Sequence, residues 1–382
     1  MRSLAALGAR MNEVTPPDRD RAVDALRALA IVGVVIGHWL VTTVADHGSG
    51  RFVAESPLYH MPQLAPVSWV FQTLAIFFLV GGFSAARSWT SARSKGCTYL
   101  TWVTRRLRRL LAPVGLLLSV WAVGLGALVI LGASIETTRT SISLVLSPLW
   151  FLIVFAFVTA LTPALTGRGS GVASRSAFIG LTIVLVIDFV RFAAGGPSWL
   201  GWINLLAGWI VPFGIGAAWA EGGWATNSSC LRLLAGGAIA AAVLVVFFGY
   251  PASMVGVPGE RISNLSPPTL AAVTFGLAQC GLALLMRAPL ERLMRRPRVW
   301  AIVALVNLTA IVVFLWHQSA LLVVTYGIRP LGTLAGLHTT PDSIPWVAQR
   351  LAWLPLFAIV LGLLWAGANK LQPSSPRDPR TG

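Results

Sequence analysis

Ten stretches of about 20 mostly apolar residues run through the 382-residue sequence. A helix of about 20 residues is long enough to cross the roughly 30 Å hydrocarbon core of a lipid bilayer. The pattern therefore predicts an all-α, polytopic integral membrane bundle of about ten transmembrane helices. A short Gly-Gly-Pro turn separates the fifth stretch from the sixth, so these two could instead form one re-entrant pair. The predicted spans are residues 26–46, 66–87, 112–133, 145–165, 176–194, 200–220, 232–250, 269–287, 299–324 and 346–369.

The composition excludes several classes of protein. Only 11% of the residues are charged, whereas an ordinary soluble domain has about 25%. The formal net charge of +16 would suggest a nucleic-acid partner for a soluble chain, but so few charges cannot cover a water-facing surface. We therefore predict no nucleic-acid binding and no disordered chain. Cys97, Cys230 and Cys280 show no metal-binding spacing and no disulfide framework.

The basic residues are distributed unequally between the two faces of the predicted bundle. Ten spans place both termini on one side, and 23 of the 29 Lys and Arg residues fall on that side. Because cytoplasmic loops carry the excess of Lys and Arg, we expect both termini to be cytoplasmic. This predicts a multi-pass protein of a cell membrane, such as a bacterial inner or plasma membrane. It would comprise a cytoplasmic segment at 1–25, a transmembrane domain at 26–370 and a disordered cytoplasmic tail at 371–382.

Ionisable residues inside the first apolar span are candidates for a functional site, because such residues are costly in lipid. Arg27 and His38 are eleven residues apart, which is three helical turns plus about 20°. Both side chains therefore lie on one helix face, about 16 Å apart along the axis. Asp24, one turn before Arg27, could orient the guanidinium. The spacing suits an extended ligand with its anionic end on Arg27 and its reactive group at His38.

The same residues also have a structural interpretation. An Arg at the edge of a span is commonly a topology anchor, and an intramembrane His is commonly satisfied by a neighbouring helix. Gly33 and Gly37 form a GxxxG pattern on a different face, which would let a second helix approach closely beside His38.

Further polar groups lie in or beside other spans. Asp188 and Arg191, spaced i,i+3, are either a structural ion pair or substrate-binding groups. His317 is isolated near the end of the ninth span. The basic run at 105–109 either orients the chain beside anionic lipid or binds phosphate through its guanidinium groups. The five histidines have no paired helical spacing, so no metal site is predicted.

An ordered set of segments resembles the acyltransferase-3 family of integral membrane acyltransferases. The resemblance rests on Arg27 and His38 with ten residues between them, preceded by Asp24-Ala25-Leu26. It extends over nearly the whole chain. Gly81 departs from the Ser usual in the family, and Trp316 replaces a more usual Leu. The other similar segments are 77–83 (FFLVGGF), 105–113 (RRLRRLLAP), 149–152 (LWFL) and 315–317 (LWH).

The resemblance implies O-acyl transfer, often of acetyl, from acyl-CoA to a hydroxyl of a sugar, glycan or natural product. It implies no cofactor, since acyl-CoA is a co-substrate. His38 would be the general base, and Asp24 would support the donor site. The donor phosphates would bind Arg27, Arg105, Arg106 and Arg109, and the acceptor would approach near Asp188, Arg191 and His317.

The residues alone leave a second function open, which is secondary transport. Asp188, Arg191 and His38 could form an intramembrane relay for a proton or substrate. Transporters commonly contain internal repeats, and none is visible in this sequence. Substrate accumulation in vesicles without a CoA donor would favour the transporter.

Overall fold

The computed structural model is a bundle of long helices. It describes residues 10–371 except 12, 14, 17, 18, 49, 168, 225 and 261, so residues 1–9 and 372–382 of the predicted terminal segments lie outside the described residues. Within the described part, nine helical segments are long and apolar enough to cross a membrane, and a pair bent by 50° provides a tenth. The prediction of an all-α membrane bundle with about ten spans is confirmed. The two spans that could have formed a re-entrant pair are separate helical segments, Ser170–Ala193 and Ser198–Ala220.

Twelve main helices and one hairpin are numbered in chain order. They are α1 (Arg21–Val41), β1 (Thr43–Asp46), β2 (Phe52–Glu55), α2 (Leu74–Ser94), α3 (Tyr99–Ile130), α4 (Ile135–Leu146), α5 (Leu149–Ala160), α6 (Ser170–Asp188), α7 (Asn204–Ala220), α8 (Asn227–Phe247), α9 (Leu270–Leu285), α10 (Arg287–Leu293), α11 (Pro297–Ile328) and α12 (Ile344–Leu371). Short helical turns lie between them at Pro57–His60, Pro62–Val67, Ser68–Phe71, Thr162–Leu165, Phe189–Ala193, Ser198–Ile203 and Arg329–Leu331.

The first predicted span is too long at its C-terminal end. The helix α1 ends at Val41, and the residues up to 46 form strand β1, which pairs antiparallel with β2. The β-branched residues after Val41 favour an extended backbone. Gly48 and Gly50, with φ values of +82° and +69°, allow the chain to reverse between the strands.

We refer to this end of the bundle as the hairpin end, and to the end carrying the arginines at 105–109 as the basic end.

The GxxxG face of α1 receives a close neighbour. A Cβ atom on Gly33 would lie 2.8 Å from the Thr73 side chain, and one on Gly37 would lie 2.9 Å from Phe71. The Thr73 hydroxyl also donates to a carbonyl of α1 at 2.7 Å. The neighbour is the segment just before α2, and its close approach depends on the two glycines.

The helix α7 lies in the interior of the bundle, and α2 crosses it at backbone contact. A Cβ atom on Gly82 would lie 2.0 Å from the Phe213 carbonyl oxygen, and one on Gly216 would lie 1.9 Å from that of Leu79. In contrast, the apolar part of α3 buries little of its surface against the other helices. The first half of α3 forms one wall of a cavity.

A buried arginine organises the hairpin end. The guanidinium of Arg350, on α12, donates to the carbonyl oxygens of Trp39, Thr42 and Gly336. The bonds to Trp39 and Thr42 satisfy carbonyls at the end of α1 that have no partner within the helix. They fix the last turn of α1, which includes His38, relative to α12.

The connection between α11 and α12 contains a second buried polar residue, His338. Its Nδ1 atom accepts a hydrogen bond from the Leu334 N–H at 3.0 Å, and its Nε2 atom donates to the Thr325 carbonyl at 2.8 Å. Both bonds require the neutral ring with its proton on Nε2. Burial lowers the pKa of His338, and nearby Arg329 lowers it further.

Candidate functional site

Two separate cavities lie along the face of α1 that carries Arg27 and His38. The larger, which we term the basic chamber, has a volume of about 780 Å³ and includes Arg27 in its wall. The smaller, which we term the histidine chamber, has a volume of about 320 Å³ and includes His38. No described residue lines both chambers. The helical spacing of the two candidate residues therefore places each in its own chamber.

Hydrogen bonds hold the Arg27 guanidinium at the wall of the basic chamber. It donates to Asp24 Oδ1 at 3.0 Å and to the Ser84 hydroxyl at 2.6 Å. Asp24 is buried and is paired with Arg19 as well, at 2.6 Å. The Asn307 amide donates to the main-chain carbonyl of Asp24 at 2.8 Å. Asp24 thus lies where it orients Arg27, while the Arg27 side chain keeps 26% of its surface exposed.

Basic side chains converge on the basic chamber. Arg105, Arg106 and Arg109 from α3 line it, together with Arg27 and with Lys95, which follows α2. None of its described lining residues is acidic. The chamber therefore has a positive potential that favours an anionic ligand. The neighbouring Arg108 is exposed and does not line the chamber.

The basic chamber also contains an unused hydroxyl group. Thr159 of α5 lines the chamber, and its buried Oγ1 atom has no hydrogen-bond partner. A buried polar atom without a partner is costly and rare, unless a ligand or water completes it. Thr159 is therefore a candidate ligand-binding group that the sequence did not indicate.

His38 is held by two consecutive residues of α11. The amide of Gln318 lies with its nitrogen 2.8 Å from His38 Nδ1, and the His317 ring packs edge-on against the His38 ring with 5.0 Å between centroids. The Trp39 indole donates to the His317 carbonyl at 2.9 Å, which ties α1 to α11 at this level. With Nδ1 engaged by Gln318, Nε2 is the ring nitrogen left to bind a ligand.

His317 lies behind His38 and not in the wall of either chamber. It is fully buried, and its Nδ1 atom is 2.6 Å from the Phe314 carbonyl, to which it donates. Its Nε2 atom has no hydrogen-bond partner. The structure thus brings His317 beside the candidate base but gives it no surface in the histidine chamber.

Asp188 and Arg191 are not brought to His38. The buried carboxylate of Asp188 accepts hydrogen bonds from the Asn204 amide at 3.0 Å, the Tyr250 hydroxyl at 3.2 Å and the Leu270 N–H at 2.7 Å. Arg191 pairs with it at 3.4 Å. Neither Asp188 nor Arg191 lines either chamber. Their contacts join α6, α7 and the start of α9.

Gln318 is the principal site residue that the sequence did not indicate. It follows His317 directly, but its partner His38 is 280 positions away in the chain. In the sequence, Gln318 is notable only as a second polar residue beside a histidine in an otherwise apolar span. Its contact with His38 exists only because α1 packs against α11.

The described side chains form no metal-binding group of three or more His, Cys, Asp or Glu residues. Two histidines near the surface of the hairpin end share one carboxylate instead. His47 and His60 lie 2.6 and 3.2 Å from the two oxygens of Glu55. These three residues line neither chamber.

Comparison with known proteins identifies one family. A family model described as an acyltransferase domain matches residues 20–368. This range contains both chambers and nearly all of the described helices. No curated protein and no solved structure matches the chain.

Proposed function

Because the chain belongs to the acyltransferase-3 family of membrane acyltransferases, we propose that it moves an acyl group from cytoplasmic acyl-CoA to a hydroxyl group of a sugar, glycan or natural product. Acetyl is the proposed acyl group. One observation carries the proposal: Arg27 and His38 lie on one face of α1, and each lines its own chamber. The two substrates of such a reaction can then approach from opposite ends of the bundle.

The basic chamber suits the phosphate groups of the donor. Guanidinium groups bind phosphate through two parallel hydrogen bonds, and several such groups in one cavity bind several phosphates. Arg27, Arg105, Arg106 and Arg109 are the proposed ligands. The unpartnered hydroxyl of Thr159 is available for an amide of the pantetheine arm.

Distance along α1 supports an extended donor. Arg27 and His38 are about 16 Å apart along a helix with 1.5 Å rise per residue. The pantetheine arm of CoA is long and narrow, so its phosphates can remain at Arg27 while the thioester approaches His38. Binding energy gained at the phosphates can then position the reacting thioester.

His38 is the proposed general base, and Gln318 is proposed to select its tautomer. The Gln318 amide nitrogen lies toward Nδ1, and its buried oxygen has no partner. Rotation of the amide by 180° exchanges the two atoms, and the oxygen then accepts a hydrogen bond from Nδ1–H. That tautomer leaves a lone pair on Nε2, which a general base requires.

The proposed reaction balances without a further co-reactant. The acceptor hydroxyl oxygen attacks the thioester carbonyl carbon while its proton passes to His38 Nε2. The tetrahedral intermediate then collapses, the carbon–sulfur bond breaks, and the imidazolium returns the proton to the leaving sulfur. CoA leaves as a thiol, the acceptor leaves as an ester, and His38 is neutral again.

The acceptor is proposed to enter the histidine chamber from the hairpin end. Gly256 and Ser266, in the loop before α9, line this chamber and are exposed. Asp188 accepts from the Leu270 N–H at the start of α9, so Asp188 and Arg191 position this loop. We assign His317 a supporting contact with the His38 ring.

Substitution of the base tests the function. We expect His38→Ala to lower acyl transfer by about 10²–10⁴-fold, the usual contribution of a general base. The assay supplies acetyl-labelled acetyl-CoA to membranes containing the protein, with a polar extract of the cells of origin as the acceptor pool. The labelled ester product is then counted.

His60→Ala is the matched control, because His60 lies outside both chambers. It should retain full activity. Both variants must insert and show the same thermal stability in detergent as the unsubstituted protein. Full activity of a folded His38→Ala variant would remove the assignment of the base. Substrate accumulation in vesicles without CoA would instead favour a transporter.

A further inference from the structure

The two chambers are separated by one layer of side chains. On α2 the lining changes from Leu74 in the histidine chamber to Phe77 in the basic chamber, and on α5 it changes from Phe151 to Phe155. On α11 it changes from Phe314 to Ile311. Three or four residues are about one helical turn, or roughly 5 Å.

Four phenylalanine rings occupy this layer, which we term the aromatic partition. They are Phe77, Phe151, Phe155 and Phe314. Phe77 contacts Phe151 and Phe155 with ring centroids 5.0 and 5.2 Å apart, and Phe151 contacts Phe314 at 5.1 Å. Phe151 and Phe155 stack at 5.9 Å. The rings therefore form a continuous set of contacts from α2 through α5 to α11.

The position of the Phe155 ring depends on Gly81. A Cβ atom on Gly81 would lie 2.3 Å from Phe155 Cε2 and 2.8 Å from its Cζ. No side chain larger than that of glycine fits at position 81 while the ring stays in place. The Phe155 ring thus rests against the backbone of α2, at the edge of the partition that faces the basic chamber.

We propose that the acyl group of the donor crosses the aromatic partition, and that Phe155 limits the width of the acyl group that crosses. This inference rests on the proposed function. With the phosphates at Arg27 and the thioester at His38, the arm must pass between the chambers, and the acyl group leads. A linear acyl chain is no wider than the unbranched end of the arm that carries the sulfur, whereas a branched or aromatic acyl group is wider than that end.

The chambers themselves support this assignment. The basic chamber is large enough to hold donor groups of many shapes, so it cannot select narrow acyl groups. The rings are packed like a protein interior, where a change in side-chain volume alters what fits. Selection by width therefore belongs to the partition, and selection by length belongs to the smaller histidine chamber beyond it.

A comparison of two donors tests the proposal. The assay measures CoA release by the full-length protein in lipid nanodiscs with acetyl-CoA or isobutyryl-CoA, using the same polar extract as acceptor pool. We expect the unsubstituted protein to prefer acetyl-CoA. Phe155→Ala should raise the ratio of isobutyryl to acetyl kcat/KM at least tenfold, and Phe155→Leu, which keeps more of the packing, should raise it less.

Phe83→Ala is the matched control, because Phe83 is an equally buried phenylalanine on α2 outside the partition. It removes the same volume and should leave the donor ratio unchanged. An unchanged ratio in both folded Phe155 variants, or equal use of the two donors by the unsubstituted protein, overturns the proposal. If His38→Ala is inactive in the same assay, such a result leaves the proposed function intact. No CoA release with either donor would overturn the function and this inference together.

Discussion

The imidazole of His38 has neighbours from α11 on both its polar edge and its face. Gln318 contacts Nδ1, and the His317 ring packs against the His38 ring. Neither contact uses Nε2. A histidine whose orientation and tautomer are set by a second residue is organised for proton transfer in one direction. In the proposed mechanism, Gln318 therefore acts through His38 and not on the substrate.

Substitutions of Gln318 separate the tautomer role from simple packing. Gln318→Leu removes the acceptor for Nδ1–H, and an incorrect tautomer costs about 10⁴-fold in the serine-protease triad. We expect a loss of about 10²–10⁴-fold in kcat with little change in KM for acetyl-CoA. The ionised side chain of Gln318→Glu can only accept a hydrogen bond, so this variant should retain more activity than Gln318→Leu. The activities of the two variants are compared by measuring kcat and KM in membranes.

Equal losses in the Leu and Glu variants would contradict the tautomer role. Gln279→Leu provides a control, because Gln279 is another buried glutamine, bound to the Gln72 carbonyl and outside both chambers. A Gln279 variant with the same loss would indicate a general effect of removing a buried amide.

At the residue scale, the sequence predicts part of the candidate site. Arg27 and His38 were placed on one face because helical periodicity is a local property of the chain. The orienting contact of Asp24 with Arg27 is local as well. Gln318 and Thr159 acquire a role only through contacts between distant helices, which no local pattern encodes.

At the scale of elements, the arginines at 105–109 on α3 differ in which of two roles they can have: orienting the chain in the membrane or binding phosphate. Arg106 and Arg109 line the basic chamber, whereas Arg108 does not. Topology requires only positive charge at this end, so it does not distinguish these positions. The proposed binding of donor phosphate does distinguish them, because only Arg106 and Arg109 line the chamber.

Single substitutions on α3 test that distinction. Arg106→Ala and Arg109→Ala should each raise the KM for acetyl-CoA about tenfold or more, because a hydrogen bond to a charged group contributes about 1.5–3 kcal/mol. Arg108→Ala removes the same charge and should leave KM within twofold. Steady-state kinetics in membranes measure both. Three equal effects would instead point to the charge of the run as a whole.

The loop between α11 and α12 is expected to lose stability in acid. Burial lowers the pKa of His338 below its usual value of about 6.5, so the folded state favours the neutral ring. The stabilisation is complete above pH 6.5 and decreases as the pH falls through the lowered pKa. Below that range, protonation of Nδ1 breaks the hydrogen bond from Leu334.

The measurement compares thermal unfolding of the unsubstituted protein with that of His338→Gln, which does not titrate. We expect the unsubstituted protein to have the higher Tm at pH 7.5, and the difference to shrink toward pH 5. His47 and His60 are present in both proteins, so their titration cancels. A difference independent of pH would show that His338 does not titrate in this range.

The elements themselves were predicted to different degrees. The ten spans follow from apolar length, which the bilayer imposes on any chain that crosses it. The C-terminal end of the first span does not follow from apolar length. Val44 and Ala45 are apolar and continue the hydrophobic pattern, although they form strand β1. Backbone pairing with β2 and the bonds from Arg350 decide where α1 ends.

At the scale of the whole molecule, the proposed reaction requires a defined orientation. Acyl-CoA is made in the cytoplasm, so the basic chamber must open there. The excess of Lys and Arg at the basic end favours the same orientation through the positive-inside rule. The two requirements are independent and agree. The division into two chambers was not predictable from the spans, because it depends on which helices leave space between them.

Labelling of single cysteines tests the orientation. In a Cys97→Ala background, Arg108→Cys reports on the basic end and His47→Cys on the hairpin end, since both positions are exposed. The other two cysteines, Cys230 and Cys280, are buried. We expect a membrane-impermeant maleimide to label His47→Cys in intact spheroplasts, and Arg108→Cys only after permeabilisation. The reverse pattern would place the basic chamber on the side of the membrane opposite the cytoplasm, where acyl-CoA is made.

The thinness of the aromatic partition has an electrical consequence. If water fills the two chambers from opposite sides, most of the membrane voltage falls across this one layer of rings. Moving a unit charge through 100 mV costs about 2.3 kcal/mol, but an acyl group is neutral and crosses without electrical work. In the proposed reaction the phosphates stay at Arg27, and no ion has to follow. By this reaction a cell would modify molecules on its far side without discharging its membrane.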